Sequence, residues 1–233
     1  MNSTKINKLI KRISYCFFPN RCAACNKLLT ADVEICPKCK VFLRRVPEHI
    51  SEGWAHCSGF RIDHRQKLYF DGIIAPFYYV DTAKDVICNY KIIGRSELSG
   101  FLANEMLSVF YRHYGEIDFD ILCGVPMTNS DKLKKGFDHI GKLCRRISYE
   151  TEIPYENVLK QIKSKRPQHT LSMRERFQNV KGIYAVRNRI NLKGKTVLLI
   201  DDIVTTSASI NECSKIIKRA GAEKVYCLSA AKR

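Results

Sequence analysis

The stretch Val197-Leu198-Leu199-Ile200-Asp201-Asp202-Ile203-Val204-Thr205-Thr206-Ser207-Ala208-Ser209 constrains the fold more than any other part of the chain. Four apolar residues run directly into two adjacent acids, then into a loop of small hydroxyl residues. Val197 to Ile200 read as a buried strand, with Gly194 just upstream. Ile210, Cys213, Ile216, Ile217 and Ala220 recur at helical spacing, and Gly221 stands where a helix stop belongs. In open α/β sheets, ligands sit at the carboxyl ends of such strands. Thr205 to Ser209 lie at a helix start, where unpaired N–H groups and the positive dipole end favour an anion. Two adjacent acids point in different directions. One can face a sugar diol while the other orients the loop or holds a water on a metal. The plainer reading has one Asp capping the helix and the other solvated. The complete string of strand, acids, loop and helix favours a sugar-phosphate site.

A second signal lies near the N-terminus. Cys22-Ala23-Ala24-Cys25 and Cys36-Pro37-Lys38-Cys39 are two C-x-x-C pairs separated by ten residues. Two such turns can complete a tetrahedral zinc site with zinc–sulfur distances of about 2.3 Å. A closed four-thiolate site leaves no open position, so its role is structural. A segment this small buries too little apolar surface to fold alone, and metal supplies the deficit. Redox dithiols are the alternative reading of each pair. His49, His56, Cys57 and His64 are nearby donors whose spacing completes no second site. Cys16, Cys88, Cys123, Cys144, Cys213 and Cys227 mostly fall on apolar faces and read as core thiols.

At 233 residues the chain suits one ordinary domain plus a small module. Ile6 to Phe18 is interrupted by Lys8, Lys11 and Arg12 and lacks a small-residue cleavage site. It reads as a short amphipathic helix rather than a signal peptide, with peripheral membrane contact as the other reading. No apolar run reaches the roughly 18 residues of a membrane helix. Without a signal peptide, eleven cysteines point to reduced thiols in the cytoplasm. The net charge of +17 clusters in Lys132 to Lys135, in Lys142 with Arg145 and Arg146, and in Lys160 to Arg166. It favours a polyanionic partner, such as nucleic acid or pyrophosphate, or else forms a solvated basic face.

The remaining pattern predicts alternating strands and helices. Ile73 to Val80 and Phe119 to Val125 read as strands. Asp81 or Thr82 is expected to cap a helix burying Ala83, Val86, Ile87 and Tyr90, and Ser96 to cap another burying Leu98, Phe101, Leu102, Val109 and Phe110. Ile140, Leu143, Cys144 and Ile147 mark a third helix. The fold class expected is α/β, a mainly parallel sheet flanked by helices, plus a small N-terminal zinc-binding module. The expected organisation is 1–50 for the N-terminal helix and cysteine module, 51–70 for a connection, and 71–233 for the α/β domain.

The string from Val197 to Ser209 resembles the phosphoribosyl pyrophosphate (PRPP) signature of type I phosphoribosyltransferases. The resemblance implies that Asp201 and Asp202 contact the ribose hydroxyls, with catalytic importance. It implies that Ile203, Val204, Thr205, Thr206, Ser207, Ala208 and Ser209 wrap the 5-phosphate, with magnesium as a cofactor. Ser207 stands where glycine is common, although serine reaches positive φ less easily.

Further patches resemble the ComF-like branch, associated with DNA uptake in competent bacteria, whose members pair a four-cysteine zinc module with the PRPP signature. One is Gly124-Val125-Pro126 followed by Lys135-Gly136-Phe137-Asp138-His139, a partial match to a pyrophosphate loop. Lys135 stands there for Arg, Asp138-His139 stand for Asn-Gln, and Asp138 places negative charge where pyrophosphate would lie. A second is Gln168-His169-Thr170-Leu171-Ser172 with Arg176, Asn179, Val180 and Gly182, in the position of a mobile loop. Closure of that loop would bring Arg174 or Arg176 against pyrophosphate. The third is Tyr90-Lys91 with Gly94-Arg95, where Lys91 reads as a solvated helix-end lysine or a phosphate contact. His139 and His169 read as polar loop residues rather than general acids or bases.

The resemblance implies a PRPP-dependent protein of natural transformation that handles incoming single-stranded DNA alongside DNA-uptake proteins. A nucleotide-salvage transferase acting on an unidentified base is the alternative.

Overall fold

The structure, a computed structural model, describes residues 20–29, 33–47, 67–128, 136–163 and 173–233, without the side chains of Met173, Arg174, Arg176 and Phe177. Its centre is strand β6 (Thr196–Val204), flanked by β7 (Lys224–Lys232) and β3 (Ile121–Gly124). β1 (Gly72–Ile74) and β2 (Phe77–Tyr78) both pair with the far edge of β7, giving the order β1-β7-β6-β3 with every pairing parallel. Val197, Leu198, Leu199 and Ile200 are fully buried because helices cover both faces of the sheet. A separate antiparallel pair joins β4 (Leu159–Gln161) to β5 (Tyr184–Val186). The expected α/β class, mainly parallel with flanking helices, is what the chain adopts.

Side-chain alternation along β6 divides the core in two. Leu198 and Ile200 point to one layer, with α2 (Asp81–Cys88), α3 (Ser99–Tyr114) and α4 (His139–Thr151). Val197 and Leu199 point to the other, with α5 (Met173–Val180) and α6 (Ala208–Arg219). The helical faces expected from sequence are those that pack. Ala83, Val86, Ile87, Tyr90, Leu98, Phe101, Leu102, Phe110, Ile140, Leu143, Cys144 and Ile147 are buried, and Val109 is partly so.

Three local expectations are corrected. The strand expected over Ile73–Val80 breaks at Ala75-Pro76 into β1 and β2, since proline has no N–H to give the ladder. Neither Asp81 nor Thr82 caps α2: Val80 occupies the cap position, and the Thr82 hydroxyl instead donates to the Cys39 carbonyl at 2.8 Å. Ser96 opens a 3-10 turn (Ser96–Leu98) ahead of α3, and its hydroxyl receives the Lys142 ammonium at 3.0 Å. The N-terminal helix at Ile6–Phe18 and most of the 51–70 connection lie outside the described residues.

β6 runs four residues beyond its apolar stretch. Asp201, Ile203 and Val204 stay in register with Ser229, Ala231 and Lys232 of β7, because backbone pairing continues regardless of side-chain polarity. The acid pair therefore sits on the strand itself, where its direction is fixed. Truncating the centre of this strand should be costly. Leu198→Ala is expected to destabilise the fold by about 2–5 kcal/mol, read as a lower urea midpoint at unchanged slope.

Candidate functional site

Beyond Val204 the chain turns through Thr205-Thr206-Ser207 into α6, and this turn walls one end of a cleft of about 430 Å³. Asp201, Ile203, Thr205 to Ile210, Tyr79, Lys91, Ile92 and Arg233 line it. Ser207 precedes α6 with φ 59° and ψ 2°, in the left-handed region. The position flagged by sequence as replacing glycine thus does require positive φ, a strain that non-glycine residues store mainly at functional turns. No side chain caps α6, and a helix N-terminus favours an anion through its N–H groups and dipole. The Ser207 hydroxyl is buried without a partner. An orphan donor, a helix N-terminus and a hydroxyl-rich turn together fit the oxygens of a phosphate group.

The two acids divide by the strand's alternation. Asp201 is partly exposed and lines the cleft, and its Oδ1 accepts the Asp202 N–H at 2.9 Å. Asp202 points to the opposite layer and is 4% exposed. Its Oδ1 accepts the Ile203 N–H at 2.8 Å, and its Oδ2 lies 2.5 Å from the Lys91 ammonium and 3.2 Å from His139 Nε2. Burial alone would raise the Asp202 pKa, but Lys91 and the His139 contact hold it well below the ordinary carboxylate range. Burial likewise works to lower the Lys91 pKa, and Asp202 and then Asp201 hold it above the ordinary lysine value.

The readings of Lys91 as a solvated lysine and His139 as a polar loop residue are therefore corrected. Lys91 lies in a π-helical turn (Asn89–Ile93) that continues α2 and ends at Gly94 with φ 87°. That turn swings the side chain inward. His139 opens α4 and is 2% exposed. Spacing gave no signal for either contact, because the three residues come from distant parts of the chain.

Asp138 has a second, local role. Its Oδ1 accepts the Gly141 N–H at 2.8 Å, so it is the N-cap of α4 as well as part of the loop. A second cleft, of about 270 Å³, opens there among Val125 to Thr128, Asp138, Tyr155, Lys160 and Arg187. Residues 129–135, including Lys135, and residues 164–172, including His169, lie outside the described residues. Arg176 is on α5, and its side chain is not described.

The four cysteines come together. One ligand atom from each of Cys22, Cys25, Cys36 and Cys39 lies within 4.8 Å of the others, and the Cys25 and Cys36 sulfurs are 3.8 Å apart. A tetrahedron with metal–sulfur bonds of about 2.3 Å has edges close to that value. The Cys36 and Cys39 N–H groups point at the sulfurs of Cys22 and Cys36, at 3.4 and 3.5 Å. Burial raises the Cys22 thiol, yet the N–H groups of Cys36, Cys25 and Ala24 bring it down to about 6. Burial and the neighbouring thiols push Cys39 up. Four sulfurs gathered within 4.8 Å of one another, with backbone N–H groups aimed at them, fit a structural metal site. Among the described residues no other group of three or more His, Cys, Asp or Glu side chains comes this close together.

The Asp202 contacts have a pH signature. A carboxylate whose folded pKa lies below its unfolded value of about 3.9 contributes stability above that value and loses it as pH falls toward the folded one. The denaturant midpoint is expected to drop between about pH 5 and pH 2, and Asp202→Asn to flatten that drop.

Residues 133–233 match the phosphoribosyl transferase domain model. The chain is 23% identical over 230 residues to competence protein F of Haemophilus influenzae, covering 93% of this chain and 98% of that protein. It is 24% identical to the DNA utilization protein YhgH of Escherichia coli, over 89% of this chain and 88% of that one. It is 27% identical to the competence protein ComFC of Streptococcus pneumoniae, over 66% of each. Among the described residues no helix is long and apolar enough to cross a membrane. The chain is accordingly similar over most of its length to competence and DNA-utilization proteins, with a match to the phosphoribosyl transferase domain over residues 133–233 and a four-cysteine cluster ahead of it.

Proposed function

We propose that this protein binds PRPP with magnesium and serves DNA uptake in natural transformation by handling incoming single-stranded DNA. The observation that carries the PRPP reading is the cleft at the end of β6. Asp201, a helix N-terminus without a side-chain cap and a buried unpartnered Ser207 hydroxyl converge there. Thr205 to Ser209 hold the 5-phosphate, and Asp201, the acid that lines the cleft, takes the ribose hydroxyls. Asp202 acts behind it, fixing the Lys91 ammonium at the cleft wall, where that cation offsets phosphate charge. Arg176, on α5, is the residue we assign to the pyrophosphate. Magnesium supplies further neutralisation of the pyrophosphate group when bound. Zinc is the metal we assign to Cys22, Cys25, Cys36 and Cys39, with residues 1–50, 51–70 and 71–233 as module, connection and transferase-like domain.

The DNA reading rests on the relatives' names as competence and DNA-utilization proteins and on the net charge of +17. None of the nine cysteines among the described residues is in a disulfide, which supports a reducing, cytoplasmic setting.

Titration calorimetry with magnesium and PRPP is expected to show one site, and Asp201→Asn/Asp202→Asn to abolish it. Unchanged affinity in the double variant would remove the site assignment. Single-stranded DNA is expected to bind with an affinity that falls steeply between about 50 and about 200 mM salt. Binding that ignores salt, or none at low salt, would overturn the DNA reading.

A further inference from the structure

The cysteine cluster and the β6 cleft are joined by one short piece of backbone, the π-turn Asn89–Ile93. Its first residue faces the cluster: Asn89 Nδ2 donates to the carbonyls of Ala23 and Ala24, both at 2.8 Å, inside the first C-x-x-C turn. Just past the turn, the Arg95 guanidinium donates to the Cys22 carbonyl at 3.0 Å and the Arg21 carbonyl at 3.2 Å. At the other end of α2, Thr82 is bonded to the Cys39 carbonyl, so the second C-x-x-C is tied to the same helix. Between the Asn89 and Arg95 anchors the side chains turn the other way. Tyr90 is fully buried, and its hydroxyl donates to the His139 carbonyl at 2.6 Å. Lys91 reaches Asp202.

These contacts are directional. Asn89 and Arg95 hold the carbonyls of Arg21, Cys22, Ala23 and Ala24 from the two ends of the turn, and Lys91, between these anchors, points to Asp202. A π-turn is an interruption of a regular helix and is found mainly where function requires it. Here it places Asn89, Tyr90 and Lys91 on three different partners in three consecutive residues.

We propose that Asn89 and Arg95 are positioning residues that couple the four-cysteine cluster to Lys91, so that the closed cluster sets the affinity of the β6 cleft for its phosphorylated ligand. The ligand part of this proposal rests on the PRPP reading, and the coupling part does not. The coupling is also reciprocal: a ligand that favours the seated Lys91 favours the closed cluster to the same extent.

The test uses the full chain with its cysteine-bound metal and two readouts. The first is the nitrogen and carbon NMR signals of the His139 ring, recorded without PRPP and assigned by comparison with His139→Gln. His139 touches the same Asp202 oxygen as Lys91 and reports whether Lys91 is in place. Asn89→Leu and Arg95→Gln are each expected to move these signals toward their positions in Lys91→Gln. Adding Asn89→Leu to Lys91→Gln is expected to move them no further. Stripping the metal with a chelator is expected to give the same displacement.

The second readout is magnesium–PRPP affinity. It is expected to fall about tenfold in Asn89→Leu, the scale typical of removing a group that orients a ligand-contacting residue, and not to fall further when Lys91 is already Gln. Metal content, read by release to a chromogenic chelator, separates loss of positioning from loss of the cluster. His139 signals unmoved in both Asn89→Leu and Arg95→Gln would overturn the proposal. Failure of the wild-type protein to bind PRPP would remove the PRPP reading, while the His139 signals would still decide the coupling.

Discussion

The Asp202 carboxylate is the constraint around which the rest of the site is arranged. It sits at the end of a central strand, shielded from water, on a face otherwise occupied by Leu198 and Ile200. A charge there is tolerable only with partners in place, since an unpaired buried ion costs several kcal/mol. One partner, Lys91, comes from the turn after α2, and another, His139, comes from the start of α4. The helical layer is thereby locked to the strand end by charge as well as by apolar packing. The opposite acid, Asp201, is released to the cleft.

The four-cysteine region does not stand apart from this arrangement. Cys22, Ala23, Ala24, Ile35 and Cys36 pack into the same apolar layer as α2, α3 and α4. Their backbone carbonyls are the acceptors for Asn89, Arg95 and Thr82. A metal that closes the cluster would therefore stiffen an entire helix whose far side faces the cleft. A rigid, remote brace on a lysine of the cleft wall is a way of holding geometry that a surface loop could not provide.

Much of this was legible in the residues. The run Val197–Ile200, the acids after it and the periodic apolar positions of α6 define a strand–turn–helix without ambiguity, because a buried strand and an amphipathic helix carry different periods. The need for positive φ at Ser207 followed from its place in the loop, and the structure shows φ 59° there. The cysteine spacing likewise foretold a cluster, since each pair can turn two thiols to one side. What failed were the caps at Asp81, Thr82 and Ser96 and the solvent-facing reading of Lys91. Each of these side chains is bound by a residue 43 or more positions away, or, for Asp81, by exposed Arg44, and no local pattern encodes such a partner.

The sequence by itself determined the α/β class, the place of the hydroxyl-rich turn and the identity of four metal-competent thiols, because these depend on period, charge and spacing within short segments. Only the tertiary structure decided which acid faces the cleft and which is buried. That choice rests on the sheet's alternation, and on a π-turn whose direction is set by carbonyls of the cysteine knuckle. Lys91, His139 and Asp202 are ordinary residues in isolation. Their joint role exists only because separate elements bring the Lys91 ammonium and His139 Nε2 within 3.2 Å of the same Asp202 oxygen.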